Sequence, residues 1–301
     1  MNGGGEAGAS HPAGGGGANI ASHTVLVVAN ETLGGRELLE AVRQRADPDT
    51  RFVLCVPQNR PRAGLVIYDD AVFDAAQVRV DLALEVIRDM GIRAIGEVGD
   101  PDPFTATLDA VREYRPQEII ISTYPETRSG WLRRDLIERV HDATGIPVVH
   151  VVNDLDSEGL PFHVTLAVAN RTASGDELLE ALKAKADTFS QPQRRQLFIV
   201  VVPAEGGSGQ AVQRARTRLK LVLDRLHVRG MFAAGMVGDP DPFIAVSNAL
   251  QYFRVDDIVI STFPETKSGW LRSDLIERVR RSTGKPVEHV VHHETQQPAV
   301  A

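Results

Sequence analysis

The chain has 301 residues, 43% of them apolar, a net charge of -7 and one cysteine. That is enough apolar material for two ordinary cores, and the acidic balance excludes a general nucleic-acid binder. No run approaches the ~18 apolar residues of a membrane span, and Cys55, within FVLCV, can form no intramolecular disulfide and reads as a buried structural thiol.

Residues 1–22 are a Gly/Ala-rich stretch without the apolar core of a signal peptide, so a disordered tail and a cytoplasmic protein are expected. Short β-branched runs then alternate with helical patterns. The strands are expected at Thr24–Asn30, Arg51–Val56, Arg93–Val98, Glu118–Thr123 and Pro147–Val152. The helices are expected at about Gly34–Ala46, Ala71–Met90, Pro103–Tyr114 and Ser129–Ala143. The same order returns with strands near Val164–Ala169, Gln196–Val202, Met231–Val237, Asp257–Thr262 and Pro286–Val291. Near-continuous apolar strands separated by helices predict parallel sheets covered on both faces, with right-handed crossovers. The expected layout is residues 1–22 as tail, 23–153 as the first domain, 154–162 as linker, 163–292 as the second domain and 293–301 as a flexible tail. So short a linker predicts domains that pack together.

The two halves share one phrase. Gly96–Val140 aligns without a gap with Gly235–Val279, identical at 29 of 45 positions. The identities gather in VGDPDPF and in STxPETxSGWLRxDLIERV. In the first, Asp102 followed by Pro103 reads as an N-cap and first helical residue, with Gly99, Asp100 and Pro101 as the turn before it. The second half repeats this at Gly238, Asp239, Pro240, Asp241 and Pro242. A capped turn accounts for Asp102 and Pro103 but not for the extra acid and proline. In the second phrase, a buried strand ends in Ser122 and Thr123, and Glu126, Thr127 and Ser129 lead into a helix start at Gly130. Arg133 lies one turn inside. Free N–H groups there, with these hydroxyls and Arg133, could cradle an anion. The counterparts are Ser261, Thr262, Glu265, Thr266, Ser268, Gly269 and Arg272. The bland alternative is a capped helix with a solvated basic face and Trp131 packed on the other domain. A third repeated element, AN-x-T, closes the first strand of each half at Asn30 and Thr32, then Asn170 and Thr172. With strand order 3-2-1-4-5, all three loops converge at the C-terminal edge of each sheet, where doubly wound folds bind ligands.

Taken together, the strand–(D/N)-x-S/T–helix, the V-x-G-D-P turn, the S-G helix ending in ERV and the strand after (I/K)-P-V resemble the universal stress protein family. The resemblance covers Thr24–Val152 and Val164–Val291, making a tandem member. It implies two doubly wound five-stranded parallel-sheet α/β domains of order 3-2-1-4-5 related by a pseudo-two-fold. It further implies pairing along the fifth strands, Pro147–Val152 with Pro286–Val291, or a homodimer formed in the same way. The implied ligand is ATP, AMP or another adenine nucleotide. The glycine pattern of ATP-holding members is absent: its positions fall on Ser122, Pro125 and Arg134–Asp135, and on Ser261, Pro264 and Ser273–Asp274. The acidic residue implied after the first strand is Asn30 or Asn170.

Catalytic motifs are absent, and no catalytic residue is assigned. Glu126 with Asp100, or Glu265 with Asp239, could pair as a general base or metal site, but each is equally a loop-bracing acceptor. His289, His292 and His293 end a strand and read as a solvated end rather than a metal site. Two functions stay open. One is a stress-associated regulatory protein binding an adenine nucleotide or other phosphorylated small ligand at the sheet edges. The other is a ligand-free scaffold acting through the PETxSGW surfaces.

Overall fold

The computed structural model describes residues 23–59, 69–125, 130–131, 135–188, 195–264, 269–272 and 274–293. Its first half runs β1 (His23–Val28), α1 (Arg36–Arg45), β2 (Thr50–Pro57), α2 (Asp69–Asp89), β3 (Ala94–Gly99), α3 (Pro103–Tyr114), β4 (Glu118–Thr123), α4 (Leu136–Thr144) and β5 (Val148–Val152). The second half runs β6 (Phe162–Val168), α5 (Asp176–Thr188), β7 (Arg195–Pro203), α6 (Gly209–Val228), β8 (Phe232–Gly238), α7 (Pro242–Tyr252), β9 (Asp257–Thr262), α8 (Gly269–Arg272), α9 (Leu275–Thr283) and β10 (Val287–Val291). All pairings are parallel, and the strand order is β3-β2-β1-β4-β5 in one sheet and β8-β7-β6-β9-β10 in the other. Both sheets are therefore of order 3-2-1-4-5, reversing direction between the first and fourth strands of each half. The central strands are apolar on both sides because helices cover both faces.

In the first half, α1 and α2 pack on one face against Val25, Val27, Phe52 and Leu54. The other face, with Leu26, Val28, Val53 and Cys55, meets α3 and α4. The second half repeats this with α5 and α6 on one face and α7 and α9 on the other. Glycines set the depth of packing at two equivalent points. A Cβ on Gly96 would lie 2.6 Å from Val80 Cγ1 of α2, and one on Gly235 would lie 2.7 Å from Leu219 Cδ1 of α6. Gly96 and Gly235 are 139 residues apart, as are Val80 and Leu219, which fixes the residue equivalence of α2 and α6.

The tandem fold is as expected, but the way the two copies meet is not. β5 and β10 each close the edge of their own sheet, and the expected pairing of Pro147–Val152 with Pro286–Val291 is not made. Instead α2 lies between the sheets. Ala76, Val80, Ala83 and Ile87 face its own sheet, while Ala75, Val78, Leu82 and Val86 enter the core of the second domain over β7 and β8. Burying side chains such as Leu82 and Val86 contributes about 1.5–3 kcal/mol each, a gain that strand-edge pairing with its solvated hydrogen bonds does not match. Glu85 completes the contact, accepting from the edge-strand N–H of Ala233 at 2.9 Å and lying 2.6 Å from His227 Nε2. Desolvation pushes the Glu85 carboxyl above its ordinary range, against the pull of His227. The connection between the sheets is tied down as well. Leu155 is buried, and Arg254 binds Leu155 O at 2.9 Å and the Asp156 carboxylate. Trp131 and Trp270 are half-buried, each against the core of its own domain, so the packing of Trp131 on the other domain that belonged to the capped-helix alternative does not occur.

Candidate functional site

The β1–α1 loop turns back on itself through Leu33 N–H to Asn30 O and Gly35 N–H to Thr32 O. This brings Thr32 against the end of β4. Thr32 Oγ1 donates to Ser122 O (3.1 Å), Ser122 Oγ donates to Thr32 Oγ1 (2.9 Å), and Asn153 Nδ2 donates to Ser122 Oγ (2.9 Å). Asn153 Oδ1 accepts from Glu37 N–H at 3.1 Å, capping α1, whose own N-cap residue Gly35 supplies no side chain. Gly35 is required there, since any Cβ would overlap Asn153. Thr123 Oγ1 donates to Tyr124 O and lies 2.9 Å from His150 Nε2. Thr32, Ser122 and Thr123 are thus brought together as expected, but in the first domain their hydroxyls are occupied by one another and by Asn153 and His150.

The second domain repeats the scaffold with one decisive change. Thr172 Oγ1 donates to Ser261 O at 3.0 Å, and Thr262 Oγ1 lies 2.8 Å from His289 Nε2. The residue equivalent to Asn153 is His292, whose backbone N–H likewise meets the fourth-strand carbonyl, Thr262 O. Its ring turns to Glu177, with Nδ1 at 2.5 Å from Oε2, while His293 N–H bonds Oε1 at 2.9 Å. Burial works to raise the Glu177 carboxyl, but these bonds outweigh it and hold the group at about 2. With no amide reaching across, Ser261 Oγ is buried and has no hydrogen-bond partner.

The acid-proline turns take a local form. Asp102 caps α3 by accepting from Thr105 N–H, and Asp241 caps α7 from Phe243 and Ile244 N–H. The additional acids do comparable work: Asp100 Oδ1 accepts from Asp102 N–H at 2.7 Å and Asp239 Oδ1 from Asp241 N–H at 2.8 Å. Gly99 and Gly238 give close approach to the following helix, with a Cβ falling 2.7 Å from Ala106 Cβ and 2.8 Å from Ala245 Cβ respectively. Glu126, Thr127, Ser129, Arg133, Glu265, Thr266 and Ser268 lie outside the described residues. Gly130 stands in a turn, and Gly269 and Arg272 bound the short α8. The single helix expected over Ser129–Ala143 is not formed. α4 begins at Leu136, after Asp135 in the left-handed region (φ 49, ψ 38), and α9 begins after Asp274 in the same state (φ 51, ψ 32). An αL residue cannot propagate a right-handed helix, and Asp tolerates the state better than most residues.

At the C-terminal edge of the second sheet these loops enclose a cavity of about 290 Å³. Asn170, Thr172, Ser261, Thr262 and Gly269, all expected there, line it together with Arg171, Phe263 and Trp270, which were not. Arg171 lies over the Phe263 ring at 5.2 Å, and Phe263 tilts against His292 at 5.7 Å. Behind the wall, Arg218 of α6 donates to Asn170 Oδ1 at 2.6 Å and meets Glu205 at 3.3 Å. Arg79 and Arg218, also 139 apart, are a repeated cation on the second helix of each half; that repetition was the available signal. Among the described residues no group of three His, Cys, Asp or Glu side chains is placed to hold a metal. Cys55 is buried, with burial pushing its thiol up to about 12.

No protein-family model matches the chain, and no curated protein matches its sequence. Among solved structures it is similar to a universal stress protein family protein from Arabidopsis thaliana with AMP bound, at 11% identity over 45% of this chain and 94% of that one, with a TM-score of 0.31. It is also similar to a universal stress protein from Archaeoglobus fulgidus, at 14% identity over 92% of this chain and 98% of that one, with a TM-score of 0.33. No helix among the described residues is long and apolar enough to cross a membrane. The fold assignment rests on the strand order: the chain is two tandem doubly wound α/β domains, each of the 3-2-1-4-5 topology that the universal stress protein resemblance implies.

Proposed function

We propose that the protein is a stress-associated regulatory binding protein that holds an adenine nucleotide or other phosphorylated small ligand at the C-terminal sheet edge, with the second domain as the principal site. The observation that carries this is the second-domain cavity, where the three repeated loops meet around an unpartnered Ser261 Oγ. Phe263 and Trp270 offer aromatic faces for a base, and Arg171 offers a cation for phosphate. The first domain has Glu31 at the position of Arg171, so the first domain lacks that cation for a phosphate. Mass spectrometry of small molecules released from purified protein, followed by calorimetry with ATP, AMP and cyclic nucleotides, tests the proposal. Arg171→Glu should weaken nucleotide binding by about 1.5–3 kcal/mol through loss of a charge-assisted bond. Absence of both co-purified and titratable nucleotide would remove the function and leave the scaffold role through the PETxSGW surfaces.

A further inference from the structure

A second cavity, of about 240 Å³, lies between the domains, apart from the second domain's sheet-edge crevice, and takes Asn30, Glu31 and Tyr124 from the edge of the first sheet. Its walls come from the β1–α1 loop and α2 on one side, and from β6, β7 and the end of α7 on the other. Leu82, Val86, Leu160, Phe162, Leu197 and Leu250 make most of it apolar. The exposed Glu31, Gln251 and Arg254 mark its mouth. Two polar atoms in the lining residues have no partner, the donor Arg79 Nη1 and the acceptor Asn30 Oδ1.

The second domain shows what this pair does when left to itself. There Arg218 Nη1 donates directly to Asn170 Oδ1 at 2.6 Å. In the first domain the equivalent arginine is drawn across the domain boundary. Arg79 Nη2 donates to Tyr252 O at 2.7 Å, and its guanidinium lies 5.5 Å from the Phe253 ring centroid. Asn30 keeps its other bond, Nδ2 to Pro57 O at 2.9 Å, which turns Oδ1 away from Pro57. In the first domain the Arg–Asn pair is thus open, leaving a guanidinium N–H and a carbonyl oxygen without partners beside largely apolar walls, with Glu31 at the mouth the acid that acts on Arg79. Such groups are costly to leave unmet, and a guanidinium in apolar surroundings favours an anion. Water would meet the two atoms but would find few other partners against Leu82, Val86 and Phe162.

We propose that this interdomain cavity binds a small amphipathic 2-hydroxycarboxylate, with its carboxylate on Arg79 Nη1, its hydroxyl donating to Asn30 Oδ1 and its apolar chain along the leucine-lined wall. The carboxylate answers the charge, the hydroxyl answers the acceptor, and the chain answers the walls; a plain alkane, a sugar or a free phosphate leaves at least one unmet. The test is calorimetry on the full chain with 2-hydroxyoctanoate, octanoate and octanamide, paired with methyl NMR of the cavity leucines and valines. One saturable site is expected, with cavity methyl shifts and at least tenfold weaker binding of octanamide. Arg79→Met should abolish binding. Because Arg79 also ties the domains, Asn30→Asp provides a second variant: it supplies a carboxylate to Arg79 but gives up the Nδ2 bond to Pro57 O, so it should keep a single cooperative thermal transition at a lower midpoint, and should weaken 2-hydroxyoctanoate at least tenfold. No saturable binding by the wild-type chain, meaning a cavity that holds water only, would overturn the proposal. So would affinity unchanged by Asn30→Asp. Arg171→Glu, which disables the nucleotide site, should leave 2-hydroxyoctanoate binding intact, so the two proposals fail separately.

Discussion

Helices α2 and α6 occupy the same position in the two halves and face outward with opposite chemistry. Toward their own sheets they match: Ala76, Val80, Leu84 and Ile87 correspond to Ala215, Leu219, Leu223 and Leu226. On the outer side, Ala75, Val78, Leu82 and Val86 correspond to Arg214, Thr217, Leu221 and Arg225. The first set is buried in the other domain, whereas Leu221 is 50% exposed and Arg225 bonds Ser174 O and Asp176. A helix with apolar residues on two opposite faces must be covered on both, and that requirement decides how the copies associate.

The sharpest way to break this contrast is to give α2 the residue that α6 carries. Val86→Arg places an uncompensated charge against β7 and β8 and should cost about 3–5 kcal/mol, read from the urea midpoint. The mirror change, Arg225→Val, removes only partly exposed bonds and should cost about 1 kcal/mol or less. Equal effects from the two variants would show that α2 is not sandwiched. The packing glycines come next. Gly96→Ala meets a side-chain methyl of Val80 and should cost about 1–3 kcal/mol, whereas Gly235→Ala also meets the backbone carbonyl of Val200, which cannot rotate away, and should lie at the top of that range or beyond. Thermal unfolding of the pair would show the order, and a milder Gly235→Ala would refute the close approach of the Val200 carbonyl. The smallest effect distinguishes the two loop anchors by pH. Glu177 is held at about 2, below its ordinary range, so it stabilises the folded state above about pH 4.5, and that contribution is lost as pH falls toward 2. Its side chain is about a third exposed, so the contribution should be on the order of 1 kcal/mol after screening. Glu177→Gln should lower stability by that amount at neutral pH and converge with the wild type in acid. The neutral Asn153 anchor in the first domain should give no such pH dependence.

Much of the fold was legible because the strands are unbroken apolar runs, whose period and spacing leave one plausible topology. The Ser122–Thr32 and Ser261–Thr172 meetings followed from strand order alone. The association of the domains was not legible from the edge strands; its signal was the second apolar face of α2, beside the polar outer face of α6. The helix break at Asp135 and Asp274 escaped because Asp is unremarkable in the first turn of a helix, and nothing in composition reports a positive φ. The extra acids Asp100 and Asp239 looked surplus to a cap until the backbone showed each bracing the N–H of the capping residue itself. Arg79 and Asn30 could each be read as ordinary; only the docked neighbour, Tyr252, separates them.

The one-sided seat of α2 has a consequence for growth of the assembly. The contact is head-to-tail, one domain's helical face on the next domain's sheet, and repeating it would seat a third domain on α6, as open filaments are built. At that step the chain presents Arg214, Thr217 and Arg225 where the first step had Ala75, Val78 and Val86. The second domain is thus a terminator: it accepts the contact and does not pass it on, and three apolar substitutions along α6 would turn a closed pair into a growing end.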